Sequence, residues 1–127
     1  MTADALGKLR AAYPSLPNSY FDLLSRTKGI DVEGHLGIEP GWVVVWSAES
    51  AMETSSAYGI PEYLPGYFAF GSNGGGELFV FPITGSSGEC PVLMVPAVGM
   101  AVEELWPVAR SFAEFEAQIG KVLDESA

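Results

Sequence analysis

The chain has 127 residues, 48% of them hydrophobic, with 16 Asp and Glu against 6 Lys and Arg and a formal net charge of -10. That length fits one domain over residues 1–127 with a real core, and the hydrophobic fraction excludes a disordered acidic tail. The charge opposes binding to nucleic-acid phosphates or anionic lipid, and a single cysteine, Cys90, excludes an intramolecular disulfide and fits a reducing compartment.

Leu6, Leu9 and Tyr13 fall at helical spacing and predict a short amphipathic helix over residues 4–13, punctuated by Pro14 and Pro17. Leu16 and Pro17 open a second helix, since proline is acceptable in a first turn. Its inward stripe is Tyr20, Leu23, Leu24 and Thr27, and Gly29 is a natural stop. Residues 31–41 read as a loop interrupted by Gly34, Gly37, Pro40 and Gly41. The run Trp42-Val43-Val44-Val45-Trp46 is aromatic or β-branched throughout, which predicts a central strand covered on both faces. Ser47 can cap a helix over residues 48–58 with Ala48, Ala51, Met52 and Ser55 on one face, ended by Gly59 and Pro61.

Two strands are expected at residues 67–70 and 78–83, joined by the glycine-rich stretch 71–76. Residues 84–89 read as a turn. Residues 90–95 read as a further strand, placed at an edge because Pro91 cannot donate to a ladder. Near the C-terminus, Ser111-Phe112-Ala113-Glu114 matches a capping box, and Phe112, Phe115, Ile119 and Val122 share the face of the helix it would start. The fold class is therefore α+β. The start of the chain lacks a basic segment followed by an apolar run, and no apolar stretch approaches the length a membrane helix needs, so a soluble cytoplasmic protein is expected.

The basic residues Lys8, Arg10, Arg26, Lys28, Arg110 and Lys121 all lie towards the ends. Between them stand Asp31, Glu33, Glu39, Glu49, Glu53, Glu62, Glu77, Glu89, Glu103 and Glu104, with no Lys or Arg from Gly29 to Ala109. Unless folding separates these acids, the middle of the molecule carries an unneutralised negative field. Solubility accounts for such a field, and so does a docking face for a cationic protein.

Three blocks in order carry a family resemblance. Leu16-Pro17-x-x-Tyr20-x-x-Leu23-Leu24 is similar to a Leu-Pro-x-x-Tyr-x-x-Phe-Leu helix. Leu64-Pro65-Gly66-Tyr67-Phe68-Ala69-Phe70-Gly71-Ser72-Asn73-Gly74-Gly75-Gly76-Glu77 is similar to a strand running into Gly-Ser-(Asp/Asn)-Gly-Gly-Gly-Asp. Ala109-Arg110-Ser111-Phe112-x-x-Phe115 is similar to a C-terminal Ala-x-Ser-Phe-x-x-Phe helix. Together, along residues 16–119, they resemble the SUKH superfamily, which includes the yeast cell-wall assembly regulator and many bacterial immunity proteins. Lys28-Gly29-Ile30 stands where the family usually has Asn-Gly-Gly, and Glu77 stands where it has Asp. The resemblance implies a central, largely antiparallel sheet flanked by N-terminal and C-terminal helices. It also implies a binding role, many bacterial members being antidotes that plug a toxin domain, often a nuclease. Toxins that act on phosphate-rich substrates are commonly basic, and an acidic surface suits their antidote.

Motifs for chemistry are sparse. The glycine stretch 71–76 lacks the Lys and Ser/Thr of a nucleotide-binding loop, and Glu77 would repel phosphate, so a hairpin connection is the better reading. His35 is the one histidine, and no serine sits in Gly-x-Ser-x-Gly. Cys90 has no Lys or Arg nearby in sequence to lower its pKa. One His and one Cys argue against zinc, and no Asp-rich run suggests calcium, so no metal or cofactor is expected. Glu103-Glu104 are adjacent and face different ways in regular structure, which suits a solvated turn or partner contact. Trp42, Trp46, Tyr67, Phe68, Phe70, Phe79 and Phe81 read as core rather than base-stacking residues because cations are missing. Trp106 is assigned to the core as well, although an exposed Trp would serve as a contact hot spot.

The favoured reading is a non-enzymatic immunity protein that occludes a basic toxin, with Asn73, Glu77, Glu103, Glu104, Asp31 and Glu33 facing the partner. A regulatory scaffold binding an endogenous protein is the alternative, and a small hydrolase using His35 with a serine comes third. The oligomeric state stays open.

Overall fold

The computed structural model describes residues 2–27, 30–37, 41–83 and 91–120. Its elements in chain order are α1 (Thr2–Ala12), α2 (Asn18–Thr27), β1 (Val32–Leu36), β2 (Trp42–Val45), α3 (Ala48–Ala57), α4 (Ile60–Tyr63), β3 (Tyr67–Ser72), β4 (Glu77–Pro82), β5 (Val92–Pro96), a 3-10 turn (Val102–Glu104), β6 (Trp106–Ala109), α5 (Phe112–Ala117) and β7 (Ile119–Gly120). This is an α+β fold. The strands form one sheet in the order β6-β5-β4-β3-β2-β1-β7, and each neighbouring pair is antiparallel. Six strands thus follow one another as a meander. From the β6 edge, α5 then crosses the sheet and delivers β7 to the far edge, beside β1.

Alternation along each strand creates two unlike faces. The front face presents Val43, Val45, Phe68, Phe70, Phe79, Phe81, Val92 and Met94 to Leu9 of α1, to Tyr20, Leu23 and Leu24 of α2, and to Phe112 and Phe115 of α5. On the back, Ala69, Leu78, Val80 and Val95 form a smaller cluster with Ile60 of α4 and Leu64 just after it, flanked by Met100 and Leu105. Phe70 is the meeting point of the front face. Its ring centroid lies 4.2 Å from that of Phe81, 5.7 Å from Tyr20, 5.5 Å from Phe112 and 5.6 Å from Phe115. Offset and edge-on pairs of this kind add to the energy of burial itself.

A register shift between Ala69 and Gly71 makes Phe70 the extra residue of a β-bulge. At the next position a side chain is impossible: a Cβ on Gly71 would collide with the carbonyl oxygen of Val44 on β2 and lie 3.3 Å from the Val45 Cα. Glycine at the head of the 71–76 stretch therefore serves strand packing rather than turn flexibility.

The structure departs from the sequence expectations at several points. Residues 32–36, expected as loop, are β1: Val32 and Leu36 alternate towards the front core, and Gly34 sits between them opposite Val43. β2 is buried on one face only, since Trp42 and Val44 stay half-exposed at the back, beyond the reach of α4. The region around residues 92–96 is interior, between β4 and β6; the edge belongs to β6, where Pro107 lacks a donor. Trp106 lies on that edge and is 40% exposed rather than in the core. Past Gly59, held at φ 70°, a further short helix, α4, forms. The last helix ends at Ala117, because Gln118 O accepts from Gly37 N and Ile119 pairs with Leu36 as a strand. Gly29, the turn at 84–89, Cys90 and Val122 lie outside the described residues.

Both capping expectations find a structural counterpart, one in altered form. Ser47 Oγ accepts from Ser50 N at the start of α3. Ser111 Oγ accepts from Glu114 N, but the Glu114 carboxylate reaches Arg110 N at 3.0 Å, one residue before the cap, and also the Arg110 guanidinium. The Arg110 backbone donor, then its guanidinium, hold the Glu114 carboxyl below its ordinary value of 4.5. A depressed carboxylate pKa stabilises the fold above the unfolded-state value and loses that contribution as pH falls through the folded one. Stability of Glu114→Gln is therefore expected to fall less steeply than that of the parent as pH drops below 4.5, measured by urea midpoints across an acid series.

Tyr20 is fully buried, burial pushes its hydroxyl well above the ordinary phenol range, and its Oη has no hydrogen-bond partner among the described residues. An unsatisfied buried hydroxyl costs about 1–3 kcal/mol. Tyr20→Phe should therefore leave stability unchanged or raise it by about 1 kcal/mol, in contrast to the loss usual for a core substitution. Equilibrium urea unfolding checks this.

Candidate functional site

One end of the sheet gathers the features that bear on function. There β1 finishes and β2 begins at Trp42, the β3–β4 connection turns back through Asn73 to Gly76, and β5 passes through residues 97–105 into β6. Two of these connections touch, because Ala97 N donates to Gly76 O at 2.8 Å. Gly74, at φ 76°, lies against the Trp42 indole, where an added Cβ would sit 3.4 Å from Cδ1. His35 stands edge-on to Trp42 with ring centroids 5.1 Å apart.

The β3–β4 connection is organised around one asparagine. Asn73 Oδ1 accepts from Gly75 N at 2.8 Å and from Glu77 N at 3.2 Å, while Nδ2 donates to Glu77 Oε1 at 2.7 Å. Gly74 N also donates to Ser72 Oγ. Asx side chains commonly satisfy turn amides in this way. The pair expected to face a partner is therefore engaged internally, closing the turn, and a Glu in place of the family's Asp still reaches Asn73.

The remaining sequence candidates are spread more widely. Glu103 and Glu104 are exposed in the 3-10 turn at the same end of the sheet. Glu33 is exposed on the back of β1, opposite Val44. Asp31 lies at the opposite end, where its carboxylate accepts from Ser47 N at 2.7 Å, a charge placed at the start of α3. Sequence reasoning missed Val98 and Val102 beside these acids and assigned Trp106 to the core. Val98 is 90% exposed, Val102 49% and Trp106 40%. The available signal was Val98 beside Gly99, an apolar residue at a turn rather than in an element.

Charge divides across the sheet. Among the described residues the cations are Lys8 and Arg10 on α1, Arg26 on α2, and Arg110 at the start of α5, all on or beside helices of the front face. Arg26 binds Glu116 at 2.7 Å and Asp22 at 3.2 Å; the Glu116 hydrogen bond is the larger cause that holds its guanidinium in the charged form. Arg110 binds Glu114, and the Arg10 guanidinium lies 4.7 Å from the Phe21 ring centroid. The back face and its cover hold Glu33, Glu62, Glu103 and Glu104 and, among the described residues, no cation.

A shallow, open depression of about 320 Å³ is lined by Ala113, Glu116, Ala117 and Ile119, and its single carboxylate is the one bound to Arg26. Among the described residues, no three His, Cys, Asp or Glu side chains are grouped to hold a metal ion, and no hydrogen bond joins His35 to a serine. No helix among them is long and apolar enough to cross a membrane.

Because three hydrogen bonds converge on its side chain, Asn73→Ala is expected to cost about 1–2 kcal/mol in urea unfolding. Glu77→Gln, which keeps an acceptor for Nδ2, should cost about 0.5 kcal/mol or less. Equal losses would remove Asn73 from its role as organiser of the turn.

Comparison with curated proteins gives no match. The chain does match a described family over residues 2–118, from α1 to the residue before β7. That span contains the buried Leu16, Tyr20, Leu23 and Leu24, the close-packed Gly71, and Phe112 and Phe115. The chain belongs to the SMI1 / KNR4 family (SUKH-1).

Proposed function

We propose that this chain is a non-enzymatic binding protein of immunity type, acting as one domain in the cytoplasm, which neutralises a basic protein toxin by occluding it. The division of charge carries this reading. Arg10, Arg26 and Arg110 are engaged on the helical side, while the acids on the back of the sheet have no cation beside them among the described residues. A surface of one sign raises the encounter rate with a partner of the other and turns away polyanions. Toxins that degrade nucleic acid need cationic surfaces for their substrates, so a negative antidote meets the surface that the toxin must keep. Occlusion of this kind needs no metal, cofactor or catalytic group in the antidote.

Affinity capture from the source cell with this chain as bait, eluted by a salt series and identified by mass spectrometry, tests the reading. A basic, toxin-like protein should be released by about 0.5 M salt, where the Debye length is only about 4 Å. A salt-insensitive complex with a housekeeping protein would replace the antidote with a regulatory scaffold.

A further inference from the structure

Among the described residues, the back of the sheet is only half covered. α4 and residues 97–105 pack over β3, β4 and β5, where Ala69, Leu78, Val80 and Val95 are buried. Among the described residues β1 and β2 have no such cover, and Trp42 and Val44 stay only partly buried although β2 lies inside the sheet. Across the same face, Val98 and Val102 project from the segment that crosses over β5 towards β6, 90% and 49% exposed. From β2 to β5 is three strand spacings, about 14 Å. That distance fits within one protein interface of standard size.

We infer that this half-open back face, from Trp42 and Val44 to Val98 and Val102, is a docking surface whose occupant is a protein segment bearing Lys or Arg. The inference rests on the binding-protein reading above and gives it a location. Its apolar residues stand at its two ends, Trp42 with Val44 and Val98 with Val102, and supply the surface an interface desolvates. Glu33, Glu103 and Glu104 are exposed on this side and supply the charge that selects the occupant. A second copy of the chain would set these carboxylates against their own kind, and nucleic acid or an anionic membrane would meet the same repulsion. A cationic segment alone gains from both parts of the surface. Asn73 and Glu77, already bonded to each other, act as its rim support rather than as contacts.

Short random peptides displayed on phage and selected on the immobilised chain at low salt provide the probe. Selected peptides should combine Lys or Arg with apolar residues. The best of them, made synthetically, should bind Glu103→Lys/Glu104→Lys about tenfold more weakly and Val98→Ser/Val102→Ser about fivefold more weakly. Glu49→Lys/Glu53→Lys on α3 makes the same change in net charge elsewhere and should alter binding by less than about threefold. All six substituted residues are solvent-facing, so the variants are expected to unfold at the parent's urea midpoint. Equal weakening by the two charge reversals, or no effect of the valine pair, would overturn this surface while leaving a basic partner in place. Selected peptides without an excess of Lys and Arg would overturn both the surface and the basic-partner reading.

Discussion

Everything on the front of the molecule depends on where the ring of Phe70 is held. A bulge in β3 turns it towards the helices, and the missing side chain of Gly71 lets β3 approach β2 closely enough to keep it there. Rings from β4, α2 and α5 then meet on it. The helices are fixed less by their own propensities than by this shared contact, since α5 has only six residues and a helix that short does not persist alone. A Cβ on one glycine would therefore act on three layers of contact at once.

The front face carries the larger core, and the back carries a smaller one. The small cluster around Ile60, Leu64, Leu78 and Val80 needs only a short helix and a connecting segment to cover it. The front helices pair their guanidinium groups with carboxylates or lay them on a ring, while the acids on the back have no cation beside them among the described residues. The packed helices and the acidic face are thus separated by the thickness of one sheet.

Much of this was legible in the sequence, for local reasons. The stripe of α2, the Ser47 and Ser111 caps, and the paired strands flanking the glycine stretch each follow from residues within a few positions of one another. What escaped depended on distant partners. β1 contains Gly34 and has a short pattern, and it becomes a strand because β2 and β7 pair with it on either side. Ile119 has helical spacing with Phe115, yet hydrogen bonding to β1 draws it into a strand. The acids of the candidate surface were readable as charge, but whether Asn73 and Glu77 were free, and whether Trp42, Val98 and Trp106 were covered, is settled only by what packs against them.

The placement of β7 has a consequence for how the protein is made. Five of the six ladders join strands that follow each other along the chain, so they can zip in order as residues emerge. The sixth joins β1 to β7, and Phe112 and Phe115 arrive only just before it. Until then a nascent chain holds β1 as an open edge and leaves Phe70, Phe79 and Phe81 without the α5 part of their lid. Such exposed rings and strand edges are what self-associate during slow synthesis. α5 and the two residues of β7 therefore close the aromatic face and the β1 edge together, late in the chain.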